Sequence, residues 1–219
     1  MRFDAVLFDL DGTLVDSAPD LAGAVNDLRA LHGLPPLPYA ELRPLAGAGA
    51  RGMVGAAFGV GPGDDAYLTL RDRFLHLYES RLLATSTVFD AVHVLLQAIE
   101  SSGRPWGVVT NKVLRLADPL LTGLQLRHRA AVVVGGDTTP HPKPHPAPLL
   151  HAAAALGVAP SRCVYVGDDA RDVQAGRAAG MSTVAASWGY LGRGEAVDAW
   201  GADHVVESPS ALLNWLELA

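Results

Sequence analysis

The sequence predicts a doubly wound α/β fold, with a Rossmann-like parallel sheet as its core and an inserted α-helical cap. Two observations predict the core. Short apolar runs rich in valine alternate with segments of helical periodicity, and those helical segments stop at glycines. A third observation predicts the cap, because the chain between the first two apolar runs is too long for one crossover connection. The 219 residues suffice for one large domain with such an insertion.

The predicted strands are short and apolar on both faces, as in a parallel sheet that helices cover on both sides. They comprise residues 5–8, 106–109, 131–134, 163–166, 183–186 and 204–206. Helical periodicity predicts helices over 91–101, 148–156 and 169–179. Each is followed by a glycine, at Gly103, Gly157 and Gly180.

Residues 16–85 show helical spacing and no convincing strand. They contain two apolar stripes, formed by Leu21, Val25, Leu28 and Leu31 and by Tyr67, Leu70, Phe74, Leu77, Tyr78 and Leu82. We predict an α/β core of residues 1–15 and 86–219 and a helical cap of residues 16–85 over the carboxyl edge of the sheet. A helical decoration without a role at the site is the alternative.

Composition limits the kinds of partner. A formal net charge of −6 argues against nucleic acid or an anionic membrane as the main partner, since both need a basic face. We expect no membrane span and no signal peptide, because the apolar runs are short. The single cysteine, Cys163, lies in a predicted strand, so we expect a buried inert thiol and a reducing, cytoplasmic setting. No obligate protein partner is evident.

The sequence Asp9-Leu10-Asp11-Gly12-Thr13 directly follows the first predicted strand. Two carboxylates held close together cost free energy unless a cation or a proton lies between them. Gly12 indicates a sharp turn at this point. The pair therefore indicates a metal, a shared proton, or both.

Three further polar motifs follow later strands. Thr110, Asn111 and Lys112 come after the second strand; Lys143 lies in a proline-rich loop after the third; and Asp168, Asp169 and Asp172 follow the fourth. In doubly wound sheets the carboxyl edge is where ligands bind. We therefore expect the four motifs to converge there.

These residue types suit phosphoryl transfer. A carboxylate such as Asp9 can attack phosphorus, and a hard divalent cation on Asp9, Asp168 and a backbone carbonyl would neutralise charge. Lys143 and the Thr110 hydroxyl would bind phosphoryl oxygens. Asp11 would carry the proton, which requires its protonated form, favoured by a neighbouring carboxylate.

The four motifs, in this order, resemble those of the haloacid dehalogenase superfamily of phosphatases. The resemblance covers the whole chain and implies that Asp9 is the nucleophile and Asp11 the acid/base. It also implies Mg²⁺ on Asp9, the Asp11 carbonyl and Asp168, and that Asp172 orients Lys143. Without this resemblance, the residues do not rank Asp168 above Asp169 as a metal ligand. Asp169 and Asp172 could also simply be acids that stabilise a helix N-terminus.

Within the superfamily, the chain looks most similar to the bacterial phosphoglycolate phosphatase group. It is especially similar to members assigned to N-acetylmuramic acid 6-phosphate. The segments 106–112, 166–169 and 188–190 carry this likeness. Thr13 and Asn111 are expected to support the site. Trp188, Gly189 and Tyr190 either line the catalytic edge or merely pack.

The segment Gly47-Ala48-Gly49-Ala50-Arg51-Gly52 matches G-x-G-x-x-G, but no buried strand precedes it, so dinucleotide binding is disfavoured. We expect a flexible cap loop that leads into a helix. Gly47, Gly49 and Arg51 would then meet the distal groups of the substrate. A simple hinge is the alternative.

The chain has two lysines, although it has many arginines, which hints that each lysine is needed as a compact ammonium. Lys143 fits the active site, and Lys112 is expected to be peripheral. The absence of a cap lysine disfavours relatives that form a Schiff base there, and Asp11 disfavours dehalogenases. His141 and His145 are interpreted as solvated loop histidines, since no third ligand completes a zinc site.

The leading hypothesis is a Mg²⁺-dependent hydrolase of a small phosphorylated metabolite. A sugar-phosphate phosphotransferase or mutase is the second, and a non-catalytic phospholigand-binding module the third. The sequence does not choose between phosphoglycolate and N-acetylmuramic acid 6-phosphate. A large cap cavity would favour the amino sugar, and a tight, arginine-lined one would favour phosphoglycolate.

Overall fold

A computed structural model describes residues 3–218 of the protein. Its strands are β1 (Ala5–Phe8), β2 (Val15–Asp16), β3 (Thr87–Val88), β4 (Trp106–Val109), β5 (Val132–Val134), β6 (Cys163–Gly167), β7 (Ser182–Ala186) and β8 (His204–Val206). Six of them form one parallel sheet in the order β5-β4-β1-β6-β7-β8. The predicted α/β fold is confirmed, and each predicted strand of the sheet lies within one residue of its observed bounds.

Helices cover both faces of this sheet. They are α5 (Val92–Ser101), α6 (Leu114–Gly123), α7 (Ala147–Leu156), α8 (Ala170–Ala178) and α9 (Pro209–Trp215). Alternate residues of β1 belong to different cores: Val6 and Phe8 pack with α5, α6 and α9, whereas Ala5 and Leu7 pack with α7 and α8. A strand buried on both faces must be apolar throughout, as the sequence of β1 is.

The strand register brings the polar motifs to one edge. Phe8 pairs with Val108 on one side and with Val166 on the other, so the three central strands end at the same level. Beyond these ends, Asp9 N donates to Val166 O at 2.8 Å, and Thr110 N donates to Val134 O at 2.9 Å.

An insertion of helices separates β2 from β3, which pair antiparallel through Val15 and Val88. It contains α1 (Ala18–Leu31), α2 (Tyr39–Leu42), a 3₁₀ helix (Arg43–Ala48), α3 (Gly49–Phe58) and α4 (Tyr67–Arg81). α1 packs against α4 through the predicted apolar stripes, and it also packs against α3. The exception is Leu31, which is 58% exposed because it ends α1. The domain bounds 16–85 stay a prediction.

The glycine-rich segment of the insertion is helical, which corrects the expected loop. It spans the end of the 3₁₀ helix and the start of α3. A Cβ on Gly52 would lie 2.6 Å from the carbonyl oxygen of Leu45, so the two helical turns approach closely only because this residue is glycine.

No helix within residues 3–218 combines the length and apolar character needed to cross a membrane.

Candidate active site

A tight turn after β1 places the first acid motif. Gly12 has φ +93°, and a Cβ there would lie 2.2 Å from Asp168 Oδ2. Only glycine combines this backbone conformation with this approach. The turn positions the buried Thr13 hydroxyl, which donates to Asp168 Oδ1 at 2.9 Å. Thr13 thereby helps to hold the Asp168 carboxylate.

Three carboxylates meet beside this turn. Asp9, Asp168 and Asp172 each offer an oxygen, and these oxygens all lie within 4.8 Å of one another. Burial, opposed by the Lys143 charge and reinforced by Asp172, raises the pKa of Asp9 to about 6. Burial, together with repulsion from Asp9 and Asp172, raises the pKa of Asp168 well above its ordinary value. The cluster is therefore short of positive charge.

Both Asp172 oxygens accept hydrogen bonds from the protein, and one of them accepts from the Lys143 ammonium. Asp172 Oδ1 accepts from Lys143 Nζ at 2.7 Å and from the Tyr165 hydroxyl at 3.1 Å. Its Oδ2 accepts from Asp169 N at 3.1 Å in the capping box of α8. Asp172 therefore orients Lys143, as the resemblance implies.

The remaining carboxylates fit a hard divalent cation. Neutral donors fix Asp168, through Thr13 at Oδ1 and the Tyr190 N–H at Oδ2. Asp9 raises the pKa of Asp168 by repulsion, and the Lys143 ammonium contacts Asp9 and Asp172. Asp9 and Asp168 are therefore a donor set that an oxygen-seeking cation such as Mg²⁺ satisfies. Asp9 and Asp168 would hold it, with a backbone carbonyl from the Asp11 turn.

Lys143 is buried at the centre of the site. Its Nζ lies 2.9 Å from Asp9 Oδ1 and donates to Val109 O at 3.0 Å. Burial alone lowers the pKa of Lys143, but the attraction of Asp172 and Asp9 outweighs it, and the pKa is raised. The Asn111 side-chain amide makes two hydrogen bonds to the Lys143 backbone: it donates to the carbonyl and accepts from the N–H, each at 2.9 Å. Asn111 thus supports the lysine loop.

Asp11 is paired with Lys112, which corrects the expectation of a peripheral Lys112. Lys112 Nζ lies 2.9 Å and 3.1 Å from the two Asp11 oxygens, and its side chain is 7% exposed. Ser17 Oγ also donates to Asp11 Oδ1. An ammonium, and not a second carboxylate, is therefore the charged group in contact with Asp11. The backbone N–H of Lys112 also donates to the Thr110 hydroxyl oxygen at 3.1 Å.

The segment Trp188-Gly189-Tyr190 is part of the site. A Cβ on Gly189 would lie 2.2 Å from the Asp168 Cβ, and Tyr190 N donates to Asp168 Oδ2 at 2.8 Å. Trp188 Nε1 donates to Thr13 O at 3.0 Å. The segment therefore packs around the Asp168 carboxylate.

Asp169 caps α8 and does not face the carboxylate cluster. Its Oδ1 accepts from Arg171 N at 2.9 Å and from Arg171 Nε at 2.8 Å. Arg171 Nη2 in turn donates to Gly47 O at 2.8 Å, which ties the core to the insertion. Sequence reasoning overlooked Arg171, as it did Ser17, because each becomes informative only through a distant partner.

A cavity of about 220 Å³ lies between the carboxyl edge and the inserted helices. The core lines it with Asp9, Asp11, Thr110, Asn111, Lys112, Val113, Leu116, Lys143, Asp169, Arg171 and Asp172. The insertion lines it with Leu21, Ala46, Gly47, Ala48, Gly49, Ala50, Phe74, Leu75 and Tyr78. Gly47 and Gly49 are thus brought to the site, whereas Arg51 is exposed and lies outside the lining. One wall is charged and the other is largely apolar.

Two further groups lie apart from the cavity. His141 and His145 are exposed, with ring centroids 4.7 Å apart. Cys163 is buried in β6, and burial raises its pKa to about 11, so the thiol is inert near neutrality.

Comparisons with known proteins identify the family of the chain. Residues 3–180 match the family model for haloacid dehalogenase-like hydrolases. A Xanthomonas campestris protein named phosphoglycolate phosphatase is 50% identical over 97% of this chain and 96% of its own length. A Pseudomonas aeruginosa protein named N-acetylmuramic acid 6-phosphate phosphatase is 43% identical over 100% of this chain and 97% of its own.

A solved structure shares the fold along its whole length. It is the crystal structure of a predicted phosphoglycolate phosphatase from Haemophilus somnus, with a TM-score of 0.87, 28% identity and 99% coverage of both chains. The family match over most of the chain, together with relatives of such identity and coverage, shows that the protein belongs to the haloacid dehalogenase-like hydrolases.

Proposed function

We propose that the protein is a Mg²⁺-dependent phosphomonoester hydrolase that acts on a small phosphorylated metabolite through a phosphoryl group transiently bonded to Asp9. The observation that supports this most directly is Lys143 Nζ, 2.9 Å from Asp9 at the charged wall of the cavity. Relatives named as phosphatases support the same reaction class.

Asp9 would attack phosphorus, forming an oxygen–phosphorus bond as the bond to the alcohol oxygen breaks. Lys143 and the Thr110 hydroxyl, at the same wall, would hold the phosphoryl oxygens. When bound, Mg²⁺ on Asp9, Asp168 and the Asp11 carbonyl would supply charge neutralisation. Asp172 contributes by keeping Lys143 in place at 2.7 Å.

Asp11 would give a proton to the departing alcohol oxygen and later take one from the water that cleaves the Asp9 acyl phosphate. Its carboxylate lines the cavity and is fixed by Lys112 and Ser17. Two bonds are exchanged in turn, so the products are the alcohol and inorganic phosphate.

The cavity favours an amino-sugar phosphate over phosphoglycolate. No Lys or Arg of residues 16–85 lines it, and the Lys112 charge is already paired with Asp11. Arg171, which also lines the cavity, is likewise paired with Asp169. Both candidate substrates carry a carboxylate, so the scarcity of free positive charge does not separate them. The apolar wall formed by Leu21, Phe74 and Leu75 suits the larger, methyl-bearing body of N-acetylmuramic acid 6-phosphate.

Phosphate release from both substrates with Mg²⁺ tests the proposal. We expect a higher kcat/KM for N-acetylmuramic acid 6-phosphate, and a loss of at least about 1,000-fold in kcat for Asp9→Asn. A folded protein that releases no phosphate from any small phosphomonoester would overturn hydrolysis. Isomerised sugar phosphate without free phosphate would favour a mutase. A cytoplasmic location belongs to the same proposal.

A further inference from the structure

Tyr78 of α4 has a hydroxyl that lies near the Lys112 ammonium. Its side chain is 1% exposed and lines the cavity. Within residues 3–218, the hydroxyl is buried without a hydrogen-bond partner. Buried polar groups are rarely left unsatisfied, because the lost interaction with water costs free energy. Burial also raises the pKa of Tyr78, so the hydroxyl keeps its proton and is available as a donor.

Packing does not explain the hydroxyl. The Tyr78 ring stacks on Phe74, with centroids 6.3 Å apart and planes 7° from parallel. It also lies 4.5 Å from Lys112 Nζ. A phenylalanine ring would make both contacts equally well. These ring contacts do not require the oxygen, which interacts with Lys112 without a hydrogen bond of normal geometry.

Lys112 has donor capacity to spare beside this ring. An ammonium has three N–H groups, and the contacts to the two Asp11 oxygens occupy at most two of them. The ion pair neutralises the charge of Lys112 locally. The pair of donors therefore suits an uncharged acceptor oxygen better than a carboxylate.

We propose that the Tyr78 hydroxyl and the remaining Lys112 N–H form a subsite for a neutral oxygen of the leaving group. Such an oxygen is a hydroxyl or a ring ether a few bonds from the ester oxygen. This inference rests on the proposed hydrolase function, because Asp11 marks where the alcohol departs. Tyr78 would thus select among phosphomonoesters, and the nucleophile would treat them alike.

A matched pair of substrates tests this subsite. 2-Methoxyethyl phosphate and butyl phosphate differ only by an ether oxygen in place of a methylene. We expect the wild type to prefer the ether in kcat/KM, and Tyr78→Phe to reduce that preference by about fivefold to tenfold, the value of one hydrogen bond. Tyr67→Phe, at the start of the same helix and outside the cavity lining, serves as the control and should retain the preference.

Binding of unreactive analogues gives a second, independent measurement. Calorimetry compares 3-methoxypropylphosphonate with pentylphosphonate on the wild type and on Tyr78→Phe. A loss of the ether preference in Kd supports the subsite even if no ester is turned over, in which case the hydrolase function alone fails. Equal effects of Tyr78→Phe on both members of each pair would overturn the subsite. A Tyr78→Phe effect confined to phosphoglycolate would overturn its neutral character.

Discussion

Lys112 Nζ lies 2.9 Å from Asp11 Oδ1 and 3.1 Å from Asp11 Oδ2, although 101 residues separate the two in the chain. The Tyr78 ring covers this ion pair from the inserted helices. Burial alone lowers the pKa of Lys112, but the attraction of Asp11 and Tyr78 outweighs it and raises the pKa. Lys112 therefore stays charged across the neutral range and holds Asp11 where the alcohol would leave.

Replacing Lys112 with Met should release Asp11 from this position. For an alkyl phosphate, whose leaving group needs a proton, we expect kcat to fall about tenfold to a hundredfold. For p-nitrophenyl phosphate, whose leaving group departs unprotonated, the fall should be several times smaller. Steady-state kinetics on both substrates measure this. Lys112→Arg keeps the charge and should recover part of kcat, whereas equal losses on both substrates would show a merely structural lysine.

Gly12 should be essential for reasons that go beyond its backbone conformation. Gly12→Ala adds a Cβ that would lie 2.2 Å from Asp168 Oδ2, whereas Gly33, with φ +68°, has open space around its Cβ position. Gly33→Ala should therefore cost only about 1–2 kcal/mol in the free energy of unfolding, the backbone term alone. Gly12→Ala should cost more and abolish phosphatase activity. Denaturant unfolding and phosphate release would test this, and similar costs for the two variants would contradict it.

The pKa of Asp9, raised to about 6, predicts a pH-dependent stability of the metal-free protein. The folded state binds the Asp9 proton more tightly than the unfolded state does. The resulting contribution to the free energy of unfolding is fully present below the unfolded pKa of about 4. It is lost as the pH rises through 6. Asp9→Asn should therefore raise Tm relative to the wild type at pH 8, and the difference should shrink towards pH 4. A difference that stays constant between these pH values would contradict the assignment.

Local sequence signals account for most of the fold. The central strands are apolar on both faces, so their positions follow from composition, and glycines mark the ends of α5, α7 and α8. The helical state of residues 43–52 could not be predicted, because glycine locally disfavours a helix. The reason for a glycine at position 52 is its close approach to Leu45, which is visible only in the folded structure.

The site was predictable where motifs follow strands and not where it depends on distant partners. Asp9, Thr110 and Asp168 lie just beyond strands whose register aligns them. Lys112 contacts Asp11, and Arg171 contacts Gly47. These partners are distant in the chain, so no local sequence pattern predicts the contacts. Arg51, by contrast, was suggested by its position in a glycine-rich segment, yet it is exposed and does not line the cavity.

Mg²⁺ binding should depend on Asp168 and not on Asp169, although the two are adjacent. Asp168 faces Asp9 with both oxygens fixed by neutral donors, whereas both Asp169 oxygens contact Arg171. We expect Mg²⁺ at a hundred times its Kd to stabilise the wild type by about 2.7 kcal/mol and Asp168→Asn by almost nothing. Asp169→Asn retains a good N-cap for α8 and should keep most of the gain. Thermal unfolding with and without Mg²⁺ measures these shifts independently of activity. A lost Mg²⁺ response in Asp169→Asn, with Asp168→Asn unaffected, would move the metal to the other carboxylate.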